Sequence, residues 1–199
     1  MSTEVETSDE RIARADPHSG EIVGEVAKSL AHREGIWHAT IHVWILDDLG
    51  RLIFQHRSPA REHYPDQWDV SVGGHLRHDE DGAREVAEEL GAEINLDQMD
   101  FVGIATIDSP LPGGRDREKP RVYVWRSGRS LNSFTFADGE VVGLASVTLE
   151  DLERLLGGER VPATVFDGAS SQPGSLAPDD LVTLPTAYWT LLRGALFEN

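Results

Sequence analysis

The chain of 199 residues contains no cysteine, which excludes a disulfide framework, a thiolate nucleophile and a cysteine-based zinc site. It has no uninterrupted apolar run approaching the roughly 18 residues that a membrane-spanning helix needs. The first 20 residues (MSTEVETSDERIARADPHSG) are polar and acidic and lack the apolar core of a secretory signal. Positive charge is scarce as well: 18 Lys and Arg stand against 35 Asp and Glu, a formal net charge of −17 with His neutral. Such a surface repels phosphate backbones and anionic lipid, so the expectation is a cytoplasmic protein with no nucleic-acid and no membrane partner. A small anionic substrate stays compatible, provided a metal ion or a local Arg cluster reverses the field. What is present is an ordinary globular balance, 39% hydrophobic and 27% charged. The length fits one domain with extensions.

Along the chain, residues 1–20 read as a flexible acidic arm, because no hydrophobic period develops there. Residues 22–32 suggest a short strand and a turn. Two β-rich runs, 39–46 and 51–55, flank the acidic, glycine-ended turn 47–50 and predict a hairpin. After the polar loop 57–67, residues 68–72 read as a strand entering Gly73-Gly74. The segment 82–91 reads as a helix ended by Gly91. Strands are expected at 100–107, 121–126 and 141–147, with a Pro/Gly/charge loop over 108–120. Thr148 is placed to cap a helix over 149–156. Residues 167–180 read as linker and a last helix starts near Pro185. The division is thus an arm at 1–20, a domain at 21–162, and a linker with a C-terminal helix at 163–199, whose apolar face offers a surface for a homodimer. Strands and helices mixed in one stretch imply an α/β or α+β domain.

The stretch 73–92, GGHLRHDEDGAREVAEELGA, carries the most chemistry. Six of the eleven residues 79–89 are carboxylates. On a helix, Glu85, Glu88 and Glu89 fall within about 100° of arc, while Ala83, Val86 and Leu90 occupy another face. Like charges at i, i+4 repel, so such a face either stays solvated or, over a pocket, demands a counter-ion. Mg²⁺ takes oxygen ligands and keeps several waters, and it bridges readily to a diphosphate. The spacing alone favours the solvated face. A strand, a glycine pair, a short loop and a helix opening on Arg-Glu shift that balance.

This segment resembles the signature of the Nudix hydrolases, G-x5-E-x7-R-E-U-x-E-E-x-G-U with U apolar. Gly74 and Glu80 match its start, and Arg84, Glu85, Val86, Glu88, Glu89, Gly91 and Ala92 match its core. The spacer from Glu80 to Arg84 encloses three residues instead of seven. Residues 38–75 are also similar to the subgroup related to type 1 isopentenyl-diphosphate isomerases, through a His before the first strand, GRLxxQxRS and PxxWDxSxGGH. Glu118 and Tyr123 match a downstream E-x4-Y, and Glu140 precedes a late E-V-x-G-L strand. The similarity covers roughly residues 20–160. It implies an α/β fold, a Nudix-type α/β/α sandwich with a mixed β-sheet.

By this resemblance Glu88 and Glu89 ligate Mg²⁺ or Mn²⁺, with the Gly73 carbonyl as a further ligand. Glu85 ligates a second ion or orients the attacking water, and Arg84 holds a carboxylate in place. Glu80 lends outer support. A late carboxylate, Glu118 or Glu140, joins the metal site, and the positions do not decide which. Arg51, Arg57, Arg61 and His75 are candidates for substrate phosphates, and Trp68 for packing over a base or isoprenoid. His32, His38 and His75, with Glu118, fall where the isomerases place metal ligands. Those isomerases use a cysteine where this chain has Gly73, which argues against their mechanism here. The leading expectation is metal-dependent hydrolysis of a diphosphate linkage in a nucleotide-type or related small molecule. The alternatives are a catalytically weak Nudix-fold binding or regulatory module and, third, an isomerase-like enzyme.

Overall fold

A computed structural model of the protein describes residues 9–79, 96–136 and 139–197. Among these residues twelve strands join one mixed sheet. In chain order they are β1 Arg11–Ala15, β2 Ile22–Ala27, β3 His38–Leu46, β4 Leu52–Arg57, β5 Trp68–Asp69, β6 Val72–His75, β7 Asp100–Ile104, β8 Ile107–Leu111, β9 Gly114–Arg126, β10 Val141–Val147, β11 Val161–Phe166 and β12 Ser171–Leu176. Three α-helices accompany them: α1 Lys28–Glu34, α2 Leu149–Leu156 and α3 Thr186–Phe197. The arrangement is the mixed-sheet α/β class expected from the sequence. No described helix is long and apolar enough to cross a membrane.

Strand β3 organises the molecule. Every one of its nine residues is buried, because it is paired to β4, β1 and β6 antiparallel and to β9 parallel. With side chains alternating at period two, Ala39, Ile41, Val43 and Ile45 enter one core with Val72, Leu144 and Phe166. The other face carries His38, Thr40 and His42 before Trp44 and Leu46 enter a second core with Val122, Val124, Tyr188 and Leu192. One end of one face of the central strand is therefore polar and buried.

Several segments differ from the sequence expectation. Residues 11–15, expected within the arm, form β1, burying Ile12, Ala13 and Ala15. This strand pairs with β2 along its length, and the Ala13 and Ala15 amides bond to the carbonyls of Leu76 and Trp37 at 2.7 and 2.9 Å. The expected turn near residue 28 is α1, stopped by left-handed Gly35, whose N–H returns to the Ala31 carbonyl. The expected loop 108–120 is the β8–β9 hairpin. It turns at Pro112-Gly113, with Gly113 at φ 76°. Residues 171–176, read as linker, form edge strand β12 on β11. That strand buries only Leu176, so its composition stays polar. Helix α2 begins as expected, with the Thr148 hydroxyl accepting the Asp151 amide at 3.0 Å. Helix α3 packs Tyr188, Leu192 and Leu196 onto its own chain's second core.

Candidate functional site

A cavity of about 790 Å³ opens over the polar end of β3. Its wall draws on α1 (Lys28, His32), β3 (His42), the 58–67 loop, β6 (Gly73, Gly74, His75), β8 and β9 (Ile107, Asp116, Glu118) and the segment before α3. Register explains the convergence. Thr40 faces His75 across the β3–β6 pair, and His38 faces Glu118 across the β3–β9 pair. Helix α1 comes close enough to add His32 because β9 begins with Gly114. A Cβ at that position would run into the His32 carbonyl oxygen.

Two overlapping groups result. His32, His38 and His75 bring ligand atoms within 4.8 Å of one another, as do His38, Asp116 and Glu118. His38 Nε2 lies 3.4 Å and His32 Nε2 3.8 Å from Asp116 Oδ1. His38 Nδ1 donates to the Ile36 carbonyl at 3.0 Å. In a neutral ring this leaves the Nε2 lone pair facing the cluster. Burial lowers the pKa of His32 and pushes that of His75 well below the usual imidazole range. Both rings are thereby held neutral, the form that ligates metals. Burial, then the charges of Asp116 and Asp69, raise the Glu118 carboxyl well above its ordinary value.

Four of these atoms, Nε2 of His32, His38 and His75 and Oδ1 of Asp116, are buried without a hydrogen-bond partner. Buried polar atoms are rarely left without a partner. A divalent cation among His32, His38 and His75 would satisfy three of them, and Asp116 stands beside that group, 3.4 Å from His38 Nε2. The residues present therefore fit a metal, and imidazoles with carboxylates suit Mn²⁺ or another first-row ion better than the all-oxygen set Mg²⁺ prefers.

The remaining expected residues are placed as follows. Gly73 lines the cavity beside His42. Arg57 lines it too, but three of its donors are spent inside the chain, on Asp69 at 2.9 Å and on the carbonyls of His63 and Tyr64 at 2.9 and 3.1 Å. It holds the 58–67 loop, in which Tyr64 and Asp66 sit at positive φ. Arg61 is ion-paired with Glu140 at the cavity wall. Glu118, not Glu140, stands with the histidines. Arg51 does not line the cavity: its guanidinium grips buried Asp47 at 2.8 Å and reaches Thr164, locking the β3–β4 turn. Trp68 also lies off the wall, stacked on His56 with ring centroids 4.4 Å apart. Glu80, Arg84, Glu85, Glu88 and Glu89 lie outside the described residues. Sequence reasoning missed His42, Asp69 and Asp116. The alternation of His38, Thr40, His42 and Trp44 along a strand was the available signal for the first.

A mixed sheet flanked by helices, with this cluster beside the cavity over its central strand, defines an α/β domain with a polar, buried site. The Nudix domain family matches residues 37–167, and the chain belongs to that family. The family acts on small molecules containing pyrophosphate and typically uses divalent metals. An uncharacterized Nudix hydrolase of Clostridium acetobutylicum is 29% identical over 192 residues, covering 89% of this chain and 93% of that protein. An isopentenyl-diphosphate Delta-isomerase of Serratia proteamaculans is 30% identical over 107 residues, covering 51% of this chain and only 58% of the isomerase. Among solved structures, DR0079 of Deinococcus radiodurans superposes with a TM-score of 0.55 at 26% identity, covering 75% of this chain and 91% of that one.

Proposed function

We propose that the protein hydrolyses a diphosphate linkage in a nucleotide-type or related small molecule, with a divalent cation as cofactor. The observation that carries this reading is the set of four buried, unpartnered donor atoms at the base of a cavity whose wall also holds Lys28, Arg57 and Arg61. His32, His38, His75 and Asp116 would hold the ion, with Glu118 completing the donor set. Bound there, a divalent cation supplies positive charge to the diphosphate oxygens and Lewis acidity toward the attacking water.

The chain's own residues do the rest. Lys28 and Arg61 are paired with Glu10 and Glu140, and each exchanges its carboxylate for a phosphate oxygen when substrate enters. Arg57 fixes the loop that closes one side of the cavity. Residues Arg84, Glu85, Glu88 and Glu89 follow β6 in the chain. By the resemblance Glu88 and Glu89 ligate Mg²⁺ or Mn²⁺, Glu85 ligates a second ion or orients the attacking water, and Arg84 holds a carboxylate in place. The histidine cluster also matches the place where the isomerases hold metal. Yet Gly73 stands where their cysteine would, and a Cβ there would meet Val70 Cγ1 at 3.0 Å and His42 at 3.6 Å.

The test is incubation with Mn²⁺ or Mg²⁺ and a panel of nucleoside and isoprenoid diphosphates, measuring phosphate release and isomerised product. Hydrolysis that is lost in His38→Ala, Glu88→Gln and Glu89→Gln while the fold persists is the expected result. Tight ligand binding with no turnover across the panel would instead establish a binding module, and an isomerised product an isomerase.

A further inference from the structure

One buried polar array touches the cavity without entering the donor set. His42 and Trp44 project from the same face of β3 as His38, and both reach Tyr188 on α3. Trp44 Nε1 donates to Tyr188 Oη at 2.9 Å, and His42 Nδ1 lies 3.0 Å from the same oxygen. All three residues are buried, at 7%, 0% and 2% exposure for His42, Trp44 and Tyr188.

The chemistry of the three groups gives the array a direction. An indole N–H only donates, so Tyr188 Oη accepts from Trp44. The phenol proton then needs an acceptor, and His42 Nδ1 is at hydrogen-bond distance. Were Nδ1 to donate instead, the buried hydroxyl proton would face no acceptor in this array, the costly arrangement. With Nδ1 accepting, a neutral ring carries its proton on Nε2. That nitrogen faces Glu118 Oε2 at 3.7 Å. His38, four residues earlier on the same strand face, is fixed in the opposite tautomer by the Ile36 carbonyl. One histidine thus offers a lone pair to the cluster, and the other offers an N–H to the carboxylate beside it.

We propose that Trp44, Tyr188 and His42 form a one-way hydrogen-bond relay that fixes the His42 tautomer and thereby turns its Nε2–H toward Glu118, 3.7 Å away, positioning that carboxylate as a ligand at the histidine cluster. His42 and Tyr188 are positioning residues in this scheme. The role of Glu118 rests on the proposed metal site, whereas the relay itself does not. Tyr188 lies beyond residues 37–167, so a helix outside the matched domain reaches the site. Metal ligands held by such outer partners typically lose about 10–100-fold in metal affinity when the partner is removed.

The experiment uses the full chain, labelled with ¹⁵N and stripped of metal. Long-range ¹H–¹⁵N correlation spectra should show His42 protonated at Nε2 and bare at Nδ1, with His38 reversed. Tyr188→Phe should mix the His42 tautomers and weaken Mn²⁺ binding in calorimetry by about tenfold or more. Turnover of any hydrolysed diphosphate should fall in kcat with KM little changed. His42→Gln offers a carbonyl to Tyr188 and an amide N–H to Glu118, and should bind Mn²⁺ better than His42→Leu at equal thermal stability. A His42 ring protonated at Nδ1 in the wild-type protein overturns the relay. So does equal Mn²⁺ affinity in the Gln and Leu variants, a comparison that stands even if Tyr188→Phe does not fold. The spectra and calorimetry need no turnover. The expected tautomers and Mn²⁺ response, found in a protein that cleaves no diphosphate, would uphold the relay while removing the hydrolase reading.

Discussion

In the proposed metal site, the residues that would hold a cation are the ones least at ease without it. Glu118 shows the point most clearly, because burial and the neighbouring Asp116 and Asp69 oppose its ionisation. In chelator at pH 7, Glu118→Gln should therefore unfold at a higher temperature than the wild-type protein. With Mn²⁺ at 100 times its dissociation constant the wild type gains about 2.7 kcal/mol by linkage. The variant should gain less, so that the order of the two melting temperatures narrows or inverts. A Glu118→Gln variant less stable than wild type in chelator would show that the carboxylate supports the fold and not the ion. The resemblance made His32, His38, His75 and Glu118 legible as a group. Asp116 and His42 were not, because their roles depend on parallel pairing of β3 with β9 some 80 residues away and on a tyrosine from the far end of the chain.

At the scale of elements, the strands with clean apolar runs, β3, β4 and β10, could be read directly, as could the capped helix α2. The elements that escaped are edge strands or are stabilised by partners distant in sequence. β1 is short with two of its five residues charged, β8 contains Pro110, and β12 exposes five of its six residues. Their pairing supplies what their composition conceals. The glycine that joins two elements at the site gives one prediction. Gly114→Ala puts a methyl group against the His32 carbonyl, so β9 and α1 must part. The expected cost is about 1–3 kcal/mol in urea unfolding. Mn²⁺ affinity should fall as well, because His32 and Asp116 separate; unchanged affinity would place His32 outside the ligand set. The β11–β12 turn gives another. Asp167 accepts the amides of Ser170 and Ala169 at 2.8 and 2.9 Å, and these bonds lower its pKa from the ordinary 3.8. A carboxylate lowered in the folded state contributes stability above its unfolded pKa and loses it as pH falls through the folded value. Hydrogen exchange of the β11 and β12 amides, corrected for intrinsic rates, should gain protection from Asp167 at pH 7 and lose it below about pH 4. Asp167→Ala should exchange faster at pH 7 and lose that pH dependence.

For the whole molecule, the net charge of −17 and the family boundary at residue 167 pose one question: how much of the chain is needed to present a cation site in an acidic protein. The segment beyond 167 supplies Val182, Thr183 and Leu184 to the cavity wall and bonds the Val182 amide to the Trp68 carbonyl at 2.8 Å. It also buries Leu176, Tyr188, Leu192 and Leu196, all at 5% exposure or less, against Trp44, Val122 and Val124. At about 1.5–3 kcal/mol for each large apolar side chain, these four contribute roughly 6–12 kcal/mol. Residual burial in the unfolded chain and the entropy of ordering the segment offset part of that gross sum, but the net margin of an entire domain is only about 5–15 kcal/mol. A chain ending at Asp167 leaves the second core open where these side chains pack, so it is expected not to fold cooperatively, although it retains the whole family-matched segment. It should show no cooperative thermal transition and weak near-ultraviolet dichroism. Leu192→Ala in the full chain should cost about 2–5 kcal/mol while leaving a folded protein. Cooperative unfolding of the truncated chain would overturn this account. It would also mean that the cavity and its histidines can be built without α3, leaving Tyr188 to act on the site without holding it together.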